Sequence, residues 1–449
     1  MIKLRTFAVA LAVSLFCLPS LAEKPAVTTA SPVANLRENL KTRPDLASSI
    51  FRLYPDQEVQ KDLTPAPTGY RPFYISHYGR HGSRWLLNDG EYLSFLEPLR
   101  EAKKNGTLTP KGEKALKVAE EAFADAQGRT SHLAPVGQLQ HRGIAERMYN
   151  NFPDVFANNA KVDARSTIIV RCVISMSSFL MRLKELNPNL DVTFQSNNRV
   201  TWPLEFTFKA DGLVKEPEYR YYLDVKGPYF DQIVKTLKEK GVMPQFAQSL
   251  LGKDYEFKDD AKHLDFIINL LALAGNLQGV RPDLSLWDIY DDPEQLYWMV
   301  MMDNYRWYAK RGPHPDGKKW TQEYAKTFLK DLVARADSAV NGNGNAAELR
   351  FGHDVSMMSF IPLMQINETD VVSYDPEEVA KRFWCYTLVP KAANLQLIFY
   401  RPVDKKGDVL VKVLYNEKEA KLPIKEAYPS FYRWKDVRDH FEKRIAQKY

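Results

Sequence analysis

The feature that most constrains the fold is an alternation of short strand-like runs with amphipathic helical stretches. The run PFYISHYG, residues 72–79, ends in glycine and predicts a strand, and residues 109–126 predict a helix that begins at a Thr-Pro pair. The alternation returns near the C-terminus, where residues 321–340 predict a helix and AELRFGHD, residues 347–354, predicts a strand. This pattern favours an α/β fold with a mostly parallel sheet and helices on both faces.

The middle of the chain indicates an insertion into that α/β core. Between residues 206 and 315 aromatic residues crowd together, strand patterns are hard to find and helical patterns dominate. We interpret residues 206–315 as an inserted helical cap domain, and residues 66–205 and 316–449 as the core. Residues 23–65, which are rich in Ala, Pro and Thr, are interpreted as a linker with a short lead-in.

Residues 1–22 have the pattern of a secretory signal peptide. Lys3 and Arg5 precede the apolar run Phe7–Leu18, and small residues suitable for cleavage follow at the end of the segment. The apolar run is short for a membrane span, and a lipidated Cys17 is disfavoured by the bulky residue before it. The sequence therefore predicts an exported protein, periplasmic or secreted, with no membrane span after signal removal.

The net charge indicates which class of ligand the protein binds, and the cysteine content indicates whether disulfides stabilise it. The net charge of +6 favours anionic ligands, but the chain lacks the dense Lys/Arg stripe of a nucleic-acid-binding protein. Signal removal leaves Cys172 and Cys385, which are too few for a disulfide framework in a chain of this length. We interpret both as small buried apolar residues, with one bridge between them as the open alternative.

The stretch HYGRHGSR, residues 77–84, crowds two histidines and two arginines after the first predicted strand, and three chemistries compete for it. His77 and His81 have the spacing of two metal ligands on a helix, but the glycines oppose a helix and the arginines would repel a cation. Ser83 lacks the second glycine of a nucleophile elbow. The third chemistry, attack by a histidine on a phosphate, fits the composition best.

In that third interpretation His81 is the nucleophile and the flanking Arg80 and Arg84 hold the phosphate. A dianionic phosphate needs several cationic donors, and the planar fork of arginine pairs with two oxygens at once. Positive neighbours also disfavour protonation of His81, so its imidazole stays neutral and nucleophilic. Gly82 is expected to let the backbone turn sharply and approach the ligand.

Five segments of the chain, one of them within this motif, together resemble one protein family. The carrying segments are RHGSR (Arg80–Arg84), RSTIIVRCVIS (Arg165–Ser175), FGHD (Phe351–Asp354), GQLQHRG (Gly137–Gly143) and LVPKAANLQ (Leu388–Gln396). They resemble the histidine phosphatase superfamily, in the branch that holds acid phosphatases, phytases and multiple inositol polyphosphate phosphatases. The resemblance spans about residues 70–425, and the middle is its least clear part.

The resemblance implies roles for individual residues. His81 would form a phosphohistidine, and Asp354 would be the general acid that protonates the leaving alcohol. The implied substrate-binding residues are Arg80, Arg84, Arg171 and His353. No metal and no cofactor are implied. From the residues alone, a His-Asp pair after a strand is more often a turn or the cap of the following helix.

Two departures from the family pattern affect the substrate assignment. Leu86 stands where the first motif usually has proline, which bears on the shape of the pocket entrance. The third motif reads His-Asp, as in acid phosphatases and many phytases, whereas the multiple inositol polyphosphate phosphatases typically carry His-Ala-Glu. We expect a phosphomonoesterase acting on phytate or other inositol polyphosphates. The alternatives are a sugar-phosphate or broad acid phosphatase and, from another class, a non-catalytic phosphate-binding surface protein.

A polyphosphate substrate requires cations beyond the three arginines. The predicted cap and the helices near it offer four such residues: Lys209, Arg306, Lys310 and Arg311. Singly, each is more often an ordinary solvated charge. Together they would focus the field of the pocket and speed the capture of a small, highly charged phosphate ester.

Overall fold

The computed structural model describes residues 33, 35–205, 227–404 and 406–449. The strands are β1 Tyr70–Arg80, β2 Lys161–Ser166, β3 Asp191–Ser196, β4 Ala347–Gly352, β5 Asn394–Pro402, β6 Leu410–Tyr415, β7 Lys418–Glu419 and β8 Tyr432–Arg433. The helices are α1 Leu36–Leu40, α2 Asp89–Lys104, α3 Pro110–Ala126, α4 Pro135–Asn151, α5 Val170–Leu186, α6 Asn198–Thr201, α7 Pro228–Glu239, α8 Val242–Leu251, α9 Asp260–Val280, α10 Pro293–Arg311, α11 Lys318–Val340, α12 Asp354–Leu363, α13 Pro376–Ala380, α14 Cys385–Leu388 and α15 Trp434–Ala446. Short 3₁₀ helices cover Pro44–Phe51, Asp56–Glu58, Pro153–Phe156, Trp287–Ile289 and Ile366–Glu368.

The strands form one sheet in the order β3-β2-β4-β1-β5-β6-β7, and β8 pairs with β6. Strands β3, β2, β4 and β1 run parallel to one another, whereas β5 is antiparallel to β1 and pairs in turn with β6. Most strands therefore point the same way, which confirms the predicted fold class. Near the C-terminus, β5 and β6 form an antiparallel pair.

Helices cover both faces of the sheet, as the sequence predicts. Along β1 successive side chains alternate between the faces. Tyr78 contacts the rings of Phe328 on α11 and Phe360 on α12, with centroids 5.2 and 4.8 Å away. His77 points to the opposite face, where the ring of Phe179 on α5 lies 5.4 Å away. The core is therefore divided into two layers by the sheet.

The register of β1 against β4 determines where the two strongest motifs meet. The strands are parallel neighbours, with Arg80 opposite Gly352. His81 follows directly and its N–H donates to the carbonyl of Gly352 over 2.9 Å. The segments that follow both strands therefore open at the same edge of the sheet, where α/β proteins bind ligands.

The described part of the predicted cap, residues 227–315, is helical and lies between β3 and β4 in the sequence. Its helix α9 packs on α2, and α8 packs on α3. The 3₁₀ segment Pro44–Phe51, predicted only as part of a lead-in, packs against α9, α10 and α14. Residues 206–226 lie outside the described residues, and the division into core and cap stays a prediction.

The predictions on export and on the cysteines have different outcomes. Residues 1–22 and Cys17 lie outside the described residues, so the signal peptide stays a prediction. In the part of the chain that is described, no helix is both long enough and apolar enough to cross a bilayer. Cys172 and Cys385 are both buried and free, which agrees with their interpretation as small apolar residues.

Candidate active site

The loop after β1 is held by backbone hydrogen bonds from both neighbouring strands. Besides the bond from His81 to β4, the N–H of Arg80 donates to the carbonyl of Ala393 over 2.8 Å. The N–H of Ala392 donates to the carbonyl of His81 over 3.1 Å. The backbone of His81 is therefore fixed on both sides before any side chain is considered.

Gly82 and Ser83 fasten the same loop to α4. A Cβ on Gly82 would lie 2.4 Å from the carbonyl oxygen of Gly137, so only glycine lets the helix come this close. The N–H of Ser83 donates to Oε1 of Gln140 over 2.9 Å, and its hydroxyl accepts from Nε2 of Gln140 over 3.0 Å. The expected role of Gly82 was approach to a ligand; the contact that requires it is with α4. Ser83 serves as an anchor of the loop.

His353 and Asp354 stand at the junction of β4 and α12. The rings of His81 and His353 meet edge to face with centroids 5.7 Å apart. The N–H of His353 donates to the hydroxyl of Tyr78 over 3.0 Å, and Nε2 of its ring lies 3.1 Å from Oγ1 of Thr167. The structure therefore brings together the first and third motifs as expected from the two strand ends.

The three predicted arginines lie in this cluster, each with some of its donors engaged by the protein. Nη1 of Arg80 donates to the carbonyl of Ile50 over 2.7 Å, and Nη2 lies 2.5 Å from Oδ2 of Asp354. Arg84 and Arg171 each make one side-chain hydrogen bond of 2.7 Å, yet Nε of both is buried with no partner in the described part of the chain. Buried donors of this kind suit an anion.

A cavity of about 440 Å³ opens onto the cluster, large enough for a small phosphate ester. Five of the predicted residues line it: His81, Arg84, Arg171, His353 and Asp354. Arg80 is fully buried and adjoins the cavity through its contact with Asp354.

Burial, together with the charges of the cluster, keeps both histidines neutral. Burial lowers the pKa of His81 well below its usual value, and Arg171 and Arg80 lower it further. Burial and the nearby Arg171 lower the pKa of His353 to about 3. The pKa of Arg84 itself falls to about 10 because it is buried among other cations. The site therefore holds excess positive charge around neutral imidazoles, which supports the expected nucleophile.

The charges of the cluster keep the carboxyl of Asp354 in its charged form, whereas the two histidines are neutral. Burial alone would raise the pKa of its carboxyl, but Arg80 and then Lys391 lower it more, so that it ends well below its usual value. The carboxyl is therefore ionised in the ligand-free protein. Its Oδ1 also accepts the N–H of Val355 over 2.9 Å, so it satisfies a donor at the start of α12 as well.

Lys391 belongs to the site, although the sequence predicts no role for it. Lys391 is 1 % exposed, and its Nζ lies 4.4 Å from the ring centroid of Phe51. The N-terminal 3₁₀ segment was also missed as part of the site, although Ala47–Phe51 lines the cavity. The motif LVPKAANLQ was the available signal for the lysine; the N-terminal segment offered none.

The four extra cations expected from the middle of the chain have different positions. Arg306 and Arg311 line the cavity, and Nη2 of Arg306 pairs with Oδ1 of Asp303 over 2.6 Å. Nζ of Lys310 lies 6.0 Å from the ring of Tyr229 and is not among the cavity-lining residues of the described chain. Lys209 lies outside the described residues.

The structure does not place His77 and His81 on one helix face, as the alternative of a shared metal site requires. His77 is on strand β1, where residues four apart do not share a helix face. Its ring packs against Phe179 and Phe351 in the core. Among the residues that the structure describes, no three His, Cys, Asp or Glu side chains cluster in a way that could hold a metal ion.

Fold and cluster together define the class of the protein: an α/β phosphatase with a helical region between its third and fourth strands. Residues 80–416 match the histidine phosphatase superfamily (branch 2). The chain belongs to this family and is a phosphatase of the histidine type, which confirms the resemblance found in the motifs.

Solved structures share the fold at low sequence identity. The multiple inositol polyphosphate phosphatase of Bifidobacterium longum in complex with inositol hexasulfate is 18% identical, with a TM-score of 0.72 over 87% of this chain and 96% of that chain. The phytase of D. castellii is 13% identical, with a TM-score of 0.68 over 90% of this chain and 86% of that chain. No curated protein sequence matches the chain.

Proposed function

We propose that the protein is an exported phosphomonoesterase that acts through a phosphohistidine on inositol polyphosphates such as phytate. The observation that carries the proposal is the buried, neutral imidazole of His81, which lies among Arg80, Arg84 and Arg171 and lines the same cavity as Asp354. Each of these groups has a task in transferring a phosphoryl group to nitrogen and then to water.

The tautomer of His81 supports a nucleophilic role. Its Nδ1 lies 2.9 Å from the carbonyl oxygen of Gly82. A carbonyl oxygen only accepts, so Nδ1 carries the proton and Nε2 keeps its lone pair. In the first step Nε2 forms a bond to phosphorus while the bond from phosphorus to the ester oxygen breaks.

Asp354 supplies the proton that this first step needs. An incoming phosphate dianion offsets the nearby positive charges, so the pKa of the Asp354 carboxyl rises and the group takes up a proton. The proton passes to the leaving oxygen, which departs as an alcohol. The three arginines and His353 stabilise the charge on the transferring group.

The second step returns the enzyme to its starting state. The Asp354 carboxylate accepts a proton from water as the water oxygen bonds to phosphorus and the bond to Nε2 of His81 breaks. Inorganic phosphate leaves, and Asp354 then releases the accepted proton to solvent, so that its carboxyl is again ionised and one water is consumed per ester hydrolysed.

Export is proposed from the pattern of residues 1–22. We expect the protein expressed in its own cells to be recovered from the periplasm or the medium with its N-terminus at residue 23. N-terminal sequencing checks this, and a mature chain that still begins at Met1 would contradict it.

Two substrate classes have support from different observations. The likeness to an inositol polyphosphate phosphatase and a phytase, together with Arg306 and Arg311 at the cavity wall, favours an inositol polyphosphate. A sugar phosphate is favoured by carboxylates on the same wall, since Asp303 neutralises Arg306 and Glu205 also lines the cavity. Carboxylates accept hydrogen bonds from sugar hydroxyls but repel additional phosphates.

The discriminating measurement is kcat/KM for phytate and glucose 1-phosphate over an ionic-strength series, with a chelator present. We expect turnover to survive the chelator, phytate to be preferred at low salt, and its kcat/KM to fall more steeply with salt. The reason is that salt screens the attraction of a polyanion more than that of a singly phosphorylated sugar. If glucose 1-phosphate is preferred, or if both substrates have equal salt dependence, the sugar-phosphate assignment replaces the polyphosphate one.

A further inference from the structure

Lys391 is a buried lysine that the chemistry described above does not use. Its side chain is 1% exposed, and Nζ has no hydrogen-bond partner in the described part of the chain. Nζ lies 4.4 Å from the ring centroid of Phe51, and the same centroid lies 5.9 Å from the guanidinium of Arg84. An ammonium group buried without a hydrogen-bonded counterion lowers stability, so its retention in the site calls for a functional explanation.

The backbone around Lys391 holds it against the nucleophile loop. Ala392 has a φ of 58°, in the left-handed region that a residue with a Cβ rarely adopts. Its N–H donates to the carbonyl of His81, while the N–H of Lys391 donates to the carbonyl of Arg52 over 2.8 Å. Strained backbone of this kind persists where the surrounding structure fixes it, and it occurs often at functional sites.

Charged groups from several elements face Lys391. Burial lowers the pKa of its ammonium well below the usual value, and Arg80 on β1 and Arg84 in the following loop lower it further. Arg171 at the start of α5 acts in the same direction, and Asp354 at the start of α12 opposes it. From the N-terminal segment the neighbour is the uncharged ring of Phe51.

Arg80 joins Asp354 to the Lys391 segment: its N–H donates to the carbonyl of Ala393, and its Nη2 lies 2.5 Å from Oδ2 of Asp354. After the opposing effect of burial, Arg80 lowers the pKa of its carboxyl most, and Lys391 comes next, ahead of Arg84 and His353. Lys391 is absent from the described residues that line the cavity, so it acts on the chemistry through a neighbour.

We propose that Lys391 is a positioning residue that sets the proton affinity of the general acid Asp354 and strengthens the hold on the bound phosphate through its field. This inference rests on the proposed function. A phosphate dianion in the cavity brings negative charge close to Lys391 and raises the proton affinity of its amine, so the substrate complex contains the charged ammonium. That charge attracts the phosphate and limits the pH range over which Asp354 stays protonated.

The test compares Lys391→Met, which removes the charge, with Lys391→Arg, which keeps it. Loss of a positive neighbour raises the pKa of Asp354, so the acid stays protonated to higher pH. For Lys391→Met we expect the alkaline limb of kcat for glucose 1-phosphate to move up by about one pH unit, a common size for the effect of one nearby charge. We expect the inhibition constant of inorganic phosphate to rise on the order of tenfold.

Two internal controls separate this role from a structural one. The alkaline limb for p-nitrophenyl phosphate should not move, because p-nitrophenolate leaves without a proton from Asp354. In Lys391→Arg, the alkaline limb of the pH profile of kcat should stay at its wild-type position with both esters. Lys391→Gln, also uncharged, gives the same comparison if the methionine variant does not fold.

The outcomes that overturn the inference differ from those that overturn the proposed function. A uniform drop in kcat at every pH, with the limb unmoved and wild-type phosphate inhibition, would show that Lys391 only supports the fold. Wild-type protein that hydrolyses neither ester would refute the proposed function itself.

Discussion

His81→Ala is expected to abolish turnover while inorganic phosphate still binds. The substitution removes the atom that forms the bond to phosphorus, so activity should fall by roughly 10⁴-fold or more, as when a nucleophile is removed from other covalent catalysts. Arg84 and Arg171 still line the cavity in the variant, so an anion keeps its main partners. Steady-state rates with p-nitrophenyl phosphate and calorimetric titration with phosphate measure the two properties separately.

His132→Ala is the matched control for this experiment. His132 is exposed, and its Nδ1 contacts only the nearby carbonyl of Thr130 among the hydrogen bonds described, 3.0 Å away. The control should keep wild-type activity and phosphate binding. If His81→Ala retains activity near that of the control, a phosphohistidine intermediate is ruled out. If it loses phosphate binding together with activity, the loss reflects a damaged site.

The meeting of the first and third motifs could be predicted from the sequence because each directly follows a strand. Parallel neighbours end at the same sheet edge, and the pairing of Arg80 with Gly352 puts His81 beside His353. The predicted effect of the arginines on His81 was right in direction. Burial is nevertheless the larger cause, and burial of a loop histidine depends on packing that the local pattern does not reveal.

The N-terminal contribution could not be predicted because it depends on contacts between distant parts of the chain. The hydroxyl of Ser49 donates to Oδ2 of Asp303 over 2.6 Å, across 254 positions in the sequence. The segment Pro44–Phe51 has no helical or strand period that would signal an ordered element. Its carbonyl at Ile50 nevertheless accepts a hydrogen bond from Arg80.

The ion pair of Arg306 could have been predicted from the sequence. Arg306 was expected to help bind a polyanion, but Asp303 stands three positions earlier, and both lie on helix α10. Side chains at this spacing are neighbours on a helix and form ion pairs. The observed 2.6 Å contact follows that rule, so Arg306 adds less positive potential to the cavity than its charge suggests.

Asp354→Asn is expected to impair esters of ordinary alcohols far more than esters of good leaving groups. An alkoxide needs a proton in the transition state, so kcat/KM for glucose 1-phosphate should fall by roughly 10²–10⁴-fold. p-Nitrophenolate is stable without that proton, so hydrolysis of p-nitrophenyl phosphate should fall much less. Affinity for inorganic phosphate should hold or improve, because the variant removes a negative charge beside Arg80.

The choice of asparagine separates catalysis from helix capping. Asparagine can still accept the N–H of Val355 and is as good as aspartate at a helix start, so the local structure of α12 is preserved. Asp292→Asn, at the exposed start of α10, makes the same change where the side chain only caps a helix, and both esters should be unaffected. If Asp354→Asn lowers kcat/KM equally for the two esters, the role of Asp354 is structural. The proton for the leaving alcohol would then have to come from another group in the cavity.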